Sequence, residues 1–252
     1  MSKDALGWRC KFAVVAPSTN TIVQPDMDSL RVDGVTNHFG RIYVPNMKVR
    51  NDEEFVALVE AIGSTLYDCV DRCMTCEPDY LVMGMSALMF WDGRQASEKR
   101  MQELSDHCGV RVSAGSFACE AALNLSGSKR IAVISPYFPI SDKNVTLFFQ
   151  DCGFDVAKFH GHKCPSPVAI AEVQADELRN IVLNMDDDSI DAFVQVGTNL
   201  SMVGLCLEME AKLGKPFVAI NSATYWHALR AVSYTHLRAP RDGLLSRMPS
   251  SA

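Results

Sequence analysis

Short apolar runs separated by longer stretches of helical periodicity recur along the whole chain, and this alternation limits the fold more than any other feature. "KFAVVA", "GRIYVP", "DYLVMG", "VRVSAG", "KRIAVIS", "DAFVQVG" and "PFVAIN" are the clearest strands. Parallel strands need a crossover between them, so strands alternating with helices predict βα units, with functional groups at the carboxyl ends of the strands. With 252 residues there is length for two such sets, each with its own core. The runs also echo one another: "KFAVVAPSTNT" pairs with "KRIAVISPYFP", and "YLVMGMS" with "FVQVGTN". The expected architecture is α/β, with two pseudo-symmetric Rossmann-like (flavodoxin-like) halves whose parallel sheets flank a central cleft. Residues 1–115 would form the first half, completed by 220–231, and residues 116–219 the second.

Residues 232–252, "VSYTHLRAPRDGLLSRMPSSA", break the pattern, having three arginines against one aspartate and no sustained period. "SYTHLRAPRD" resembles the translated read-through of a transposon-type sequencing adapter, which predicts a non-native or disordered tail. A net charge of −6 argues against a nucleic-acid partner. No apolar run approaches the roughly 20 residues of a membrane span. "MSKDALGWRCKF" lacks the apolar core of a secretory signal, which predicts a cytoplasmic protein whose nine scattered cysteines are reduced and mostly buried.

Two clusters suggest metal chemistry at first sight. "CVDRCMTC" gives Cys69, Cys73 and Cys76 the spacing of an iron–sulfur site. However, Phe55, Leu58, Ile62, Leu66, Cys69, Cys73 and Cys76 form one unbroken three-or-four stripe, the pattern of a core-facing helix. A regular helix does not aim three thiols at one cluster, so cysteine is read here as a small hydrophobe. "HGHKC" sets His160, His162 and Cys164 on one face of an extended segment, without a fourth ligand nearby. No complete phosphate-binding glycine loop and no G-x-S-x-G elbow is present, so neither a nucleotide, another cofactor nor a metal is expected.

The strand ends carry the functional signal. "APSTNT", "MGMSAL", "SAGSFA", "SPYF", "VGTNLS" and "INSAT" repeat a mixture of Ser, Thr, Asn and Gly that opens the next helix. Any one of them is an ordinary helix cap, whereas six together predict a shared anion site, since helix N-termini attract carboxylates. "VQVGTNLSM" poses the chemical question directly, because it offers hydroxyl and amide groups but neither thiol, imidazole nor carboxylate.

"VVAPSTNTIVQPDM", "YLVMGMSALMFWDG", "IAVISPYFP", "VQVGTNLS" and "LGKPFVAINSATYWHALR" together resemble the aspartate/glutamate racemase superfamily, and within it the maleate isomerase and arylmalonate decarboxylase branch. The resemblance runs from about residue 11 to 231 and implies a small carboxylic-acid substrate held between two similar halves. It makes Asn20 a substrate-binding residue and Tyr137 the tyrosine that steadies a carboxylate, and it sets Ser86 and Thr198 where the family holds an oxyanion. Ser86, Tyr137 and Thr198 are thus the catalytic candidates; Ser18, Asn20, Gly84, Gly197 and Asn199 are the substrate-binding ones. The family's reactive cysteines fall at Gly84 and Gly197, and no other cysteine replaces them in register, Cys119 and Cys206 being the nearest in sequence. The implied function is a cofactor-independent isomerase or decarboxylase acting by a cysteine-independent route with oxyanion stabilisation; the alternative is a protein that binds a carboxylate without turning it over. Assembly into a homo-oligomer is left open.

Overall fold

The computed structural model describes residues 4–232, so the adapter-like segment lies outside the described residues except for Val232. Two four-stranded parallel sheets form the centre. The first contains β1 (Cys10–Pro17), β2 (Val35–Ile42), β3 (Tyr80–Met83) and β4 (Val112–Ala114); the second contains β5 (Arg130–Ser135), β6 (Asp155–Gly161), β7 (Ala192–Gln195) and β8 (Phe217–Ala219). Their orders, β2-β1-β3-β4 and β6-β5-β7-β8, are the same, which gives the two halves the expected pseudo-symmetry. Strand order reverses beside β1 in one sheet and beside β5 in the other, and such switch points are where open α/β sheets bind ligands.

The central strands β1, β3, β5 and β7 are apolar almost throughout because helices cover both of their faces. The edge strands differ. β2 starts at Val35, five residues before "GRIYVP", and β6 had no counterpart among the clear strand signals. Both carry polar, half-exposed residues that blur the apolar pattern.

Nine helices surround the sheets among the described residues: α1 (Val23–Ser29), α2 (Asp52–Ser64), α3 (Leu66–Met74), α4 (Gly93–Cys108), α5 (Gly115–Ser126), α6 (Pro139–Asp151), α7 (Ala175–Met185), α8 (Val203–Leu213) and α9 (Ile220–Ala231). The amphipathic stripe from Phe55 to Cys76 is two helices rather than one, since Thr65 takes a non-helical conformation between α2 and α3. Phe55 to Cys73 are buried as expected, whereas Cys76 lies past the end of α3 and is only half-buried. Asn51 starts α2 by accepting the Glu54 N–H at 2.9 Å, with three acidic residues in the first turn favouring the positive end of the helix.

The halves share a core. Phe90, in a 3₁₀ turn after β3, packs edge-on against Phe148 of α6 with centroids 5.2 Å apart. Helix α9 packs Tyr225, Ala228 and Leu229 against Phe12, Val14 and Tyr80 of the first sheet. Among the described residues no helix is long and apolar enough to cross a membrane.

Candidate active site

Four of the six strand ends meet in one cleft. The turn after β1 gives Thr19 and Asn20, the one after β3 gives Met85, Ser86 and Ala87, β5 leads to Tyr137, and β7 leads to Gly197, Thr198 and Asn199. About 560 Å³ of space free of protein atoms lies in the cleft and in front of its mouth. The other two strand ends, "SAGSFA" and "INSAT", do not line it. They begin α5 and α9, which pack so closely that a Cβ added at Gly115 would lie 2.5 Å from Ile220 Cγ1. The cleft is therefore lined from the ends of the central strands, while β4 and β8 lead into the contact between α5 and α9.

Ser86 Oγ and Tyr137 Oη are hydrogen-bonded at 2.5 Å, and both residues are buried. One hydroxyl proton of the pair is spent on the other oxygen, leaving one to donate elsewhere. Burial pushes the Tyr137 phenol well above its ordinary range, and the Ser86 bond offsets only part of this, so Tyr137 is a proton donor and not a base at neutral pH. Phe55 steadies its ring at a centroid distance of 5.3 Å.

Across the cleft, Asn20 Nδ2 donates to Thr198 Oγ1 at 3.0 Å, and Thr198 Oγ1 donates to the Gly84 carbonyl at 3.0 Å. Thr198 thus commits its only hydroxyl proton to stitching the halves together, and what it still offers a ligand is its backbone N–H. Asn20 Oδ1 accepts from the N–H groups of Ile22 and Val23 at the start of α1. Asn199 is likewise committed, accepting from Thr21 N–H at 2.9 Å and donating to Pro167 O at 2.9 Å, which holds the loop carrying Pro167 and Ile170 over the cleft. The backbone N–H groups of Ser86, Thr198 and Asn199 make no hydrogen bond among the described residues.

Ser18 and Gly84 stand apart from the other candidates. The Ser18 hydroxyl accepts from Val44 N at 3.0 Å and donates to Val44 O at 3.2 Å, and its neighbour Thr19 faces the cleft instead. Gly84 lies behind the lining, where an added Cβ would meet Val15 O at 3.0 Å and Ala16 Cβ at 3.2 Å. Gly197 does line the cleft, but with a φ of +99° and an added Cβ at 2.5 Å from Pro136 Cδ and Cγ. Neither position accepts a larger residue without movement.

The other wall is apolar. Phe55, Leu58, Val59 and Ile62 of α2, with Val44, Met85 and Ile170, form it. In the sequence, three of these α2 residues belong to a stripe that reads as core; a stripe lining a cleft has the same period as one lining a core. Among the described residues that line the cleft there is no Cys, His, Lys, Arg, Asp or Glu. Cys119 and Cys206 are buried elsewhere, and desolvation pushes both thiols far up. His160 and His162 approach to 3.4 Å, but His162 and Cys164 lie beyond the end of β6, so the three do not share a strand face. Among the described residues no group of three His, Cys, Asp or Glu is placed to hold a metal ion.

A model of the family "Arylmalonate decarboxylase" matches residues 73–245, a span that takes in Ser86, Tyr137 and the 197–199 turn. The chain belongs to the arylmalonate decarboxylase family. Along nearly its whole length it is also similar to a maleate isomerase of Pseudomonas putida KT2440, which is 24% identical over 247 residues, 94% of this chain and 97% of that protein. The fold is shared with a maleate cis-trans isomerase of Nocardia farcinica carrying a covalently bound succinylcysteine intermediate, at a TM-score of 0.85 and 16% identity, covering 94% of this chain and 98% of that one. It is shared too with an arylmalonate decarboxylase at a TM-score of 0.74 and 18% identity, covering 95% and 100%. This arylmalonate decarboxylase family member therefore has a cleft rich in donors, with no cysteine among its described lining residues.

Behind Tyr137, Ser135 Oγ accepts the Tyr137 N–H at 3.0 Å and donates to Asp142 Oδ1 at 2.7 Å. Burial pushes the Asp142 carboxyl up to about 6 from 3.8, with the Ser135 bond and Lys163 pulling back. The folded state holds this proton more tightly than the unfolded chain, so the contribution to stability is complete below about pH 4 and is lost as the pH rises through about 6. Asp142→Asn keeps the acceptor and removes the charge. It is expected to stabilise the protein at pH 8 by on the order of 2 kcal/mol and to do little at pH 4, and equal shifts in unfolding midpoint at both pH values would contradict this.

Proposed function

We propose that the protein decarboxylates a malonate bearing an aryl or branched apolar substituent, without a catalytic thiol. One observation carries the reading: the cleft joins hydrogen-bond donors on one side to an apolar wall on the other, with no thiol and no ionisable base to activate its hydroxyls among its described lining residues. Racemisation needs a base to remove a proton, and covalent isomerisation needs an activated nucleophile. Decarboxylation needs neither. The bond from the α-carbon to one carboxylate breaks and CO₂ leaves, while the electron pair passes into the remaining carboxylate as an enediolate.

Donors around Ser86, Tyr137 and the 197–199 turn would hold that developing charge, and such preorganised donors are a large source of rate enhancement. The carboxylate that departs would lie against the wall of Phe55, Leu58 and Ile62, where an ion loses its hydration and neutral CO₂ does not suffer for it. The α-carbon then takes a proton from the Ser86–Tyr137 pair, and water returns one to the resulting oxyanion.

CO₂ release from phenylmalonate, measured beside the conversion of maleate and of aspartate, tests the reading. Phenylmalonate is expected to react and the other two to remain unchanged. Turnover of maleate alone would overturn the proposal, and binding of phenylmalonate without CO₂ release would make the protein a carboxylate-binding module instead. Because the thiols near the centre are buried and protonated, iodoacetamide is expected to leave turnover intact wherever the protein stays folded. Loss of turnover that phenylmalonate prevents would restore a cysteine to the mechanism.

A further inference from the structure

We infer that Gln195 and Asn221 are positioning residues that aim the backbone N–H groups of Thr198 and Asn199 at the ligand's carboxylate. The inference rests on the carboxylate reading of the cleft and extends it to two side chains behind the lining. In a trans peptide the C=O and N–H point in opposite directions, so fixing the carbonyl fixes the direction of the next residue's N–H. The described residues contain no cis peptide.

The carbonyl of Gly197 accepts from Gln195 Nε2 at 2.8 Å and from Leu200 N–H at 3.0 Å. Thr198 N–H must then face away from Gln195. The carbonyl of Thr198 accepts from Asn221 Nδ2 at 3.0 Å, which turns Asn199 N–H away from Asn221. Both N–H groups lack a partner among the described residues, and both residues line the cleft.

The two amides are held firmly. Gln195 Nε2 also donates to Val196 O at 2.8 Å, and Asn221 Nδ2 also donates to Asp26 Oδ2 at 2.8 Å. Gln195 and Asn221 are 1% and 2% exposed, so water does not compete for these bonds. Asn221 Oδ1 is buried with no hydrogen-bond partner among the described residues. A side chain kept only for packing would not leave an acceptor orphaned at the usual penalty of about 1–3 kcal/mol, whereas one kept for its donors would.

The test uses ¹⁵N-labelled full-length protein titrated with phenylacetate. In the wild type, the Thr198 and Asn199 amide resonances are expected to move on binding, along with that of Ser86. Gln195→Met and Asn221→Leu remove the donors at similar volume and should each weaken phenylacetate roughly tenfold or more. They should also abolish the shifts at Thr198 and Asn199 while leaving the one at Ser86. Gln195→Leu, smaller and also without donors, serves where Gln195→Met does not fold. A variant with a lowered unfolding temperature but wild-type affinity and shifts would show a purely structural role and overturn the inference. Binding that moves Ser86 but neither Thr198 nor Asn199 would overturn it and leave the carboxylate reading standing. Absence of any phenylacetate binding would overturn the carboxylate reading and this inference with it.

Discussion

Tyr137→Phe is expected to lower kcat for phenylmalonate by roughly 10²–10³, with a smaller change in KM. The ring should stay in place, because Phe55 packs against it and Phe fits the same buried volume. Only Oη is lost, and with it the partner of the Ser86 hydroxyl at 2.5 Å. The charge that Oη meets is larger in the enediolate than in the bound substrate, so the loss falls mainly on the transition state. The raised pKa of the phenol adds a pH signature: Tyr137 stays protonated throughout the neutral range, so its ionisation should cause no fall in activity between pH 7 and 9. Rates measured over that range on the wild type and on Tyr137→Phe check both points. A variant with wild-type kcat would remove Tyr137 from the chemistry.

Gly197→Cys, which puts a thiol where the resemblance in sequence leads one to expect it, is expected to destabilise the protein by about 3–5 kcal/mol and to confer no maleate isomerisation. Two costs combine. The φ of +99° at Gly197 is one that side-chain-bearing residues rarely adopt, and the new Cβ would lie 2.5 Å from two atoms of the Pro136 ring, which cannot swing aside. Relief requires the 197–199 turn to move, which would break the Gln195 and Asn221 bonds to its carbonyls. Thermal unfolding with a maleate assay decides the matter; a stable Gly197→Cys protein that isomerises maleate would mean that only the thiol is missing. Gly84→Cys should be milder, since its closest contact is 3.0 Å and its backbone is not left-handed.

The sequence made the α/β alternation and the doubling legible because the central strands are buried on both faces and so read as continuous apolar runs. Edge strands β2 and β6 were hard to read because their mixed residues resemble loops. The lining of the cleft was legible in its polar half: Asn20, Ser86, Tyr137, Thr198 and Asn199 do converge. Which strand ends would meet was not legible, since the order β2-β1-β3-β4 is a property of tertiary pairing and "SAGSFA" looks no different from "MGMSAL". Ser18 shows the same limit, as nothing local reveals that its hydroxyl is taken by Val44, 26 residues away. The apolar wall from α2 was hidden for another reason: periodicity tells which face of a helix avoids water, but not whether protein or an empty cleft lies opposite.

The packing of α9 on the first sheet has a consequence for biosynthesis. Phe12, Val14 and Tyr80 emerge early from the ribosome, yet Tyr225, Ala228 and Leu229, which pack against them, follow after more than a hundred further residues. At 5–20 residues per second, that apolar face waits roughly 7–30 s for its cover. A nascent chain arrested before α9 should therefore expose a sticky sheet and recruit holding chaperones, and the released full-length chain should not.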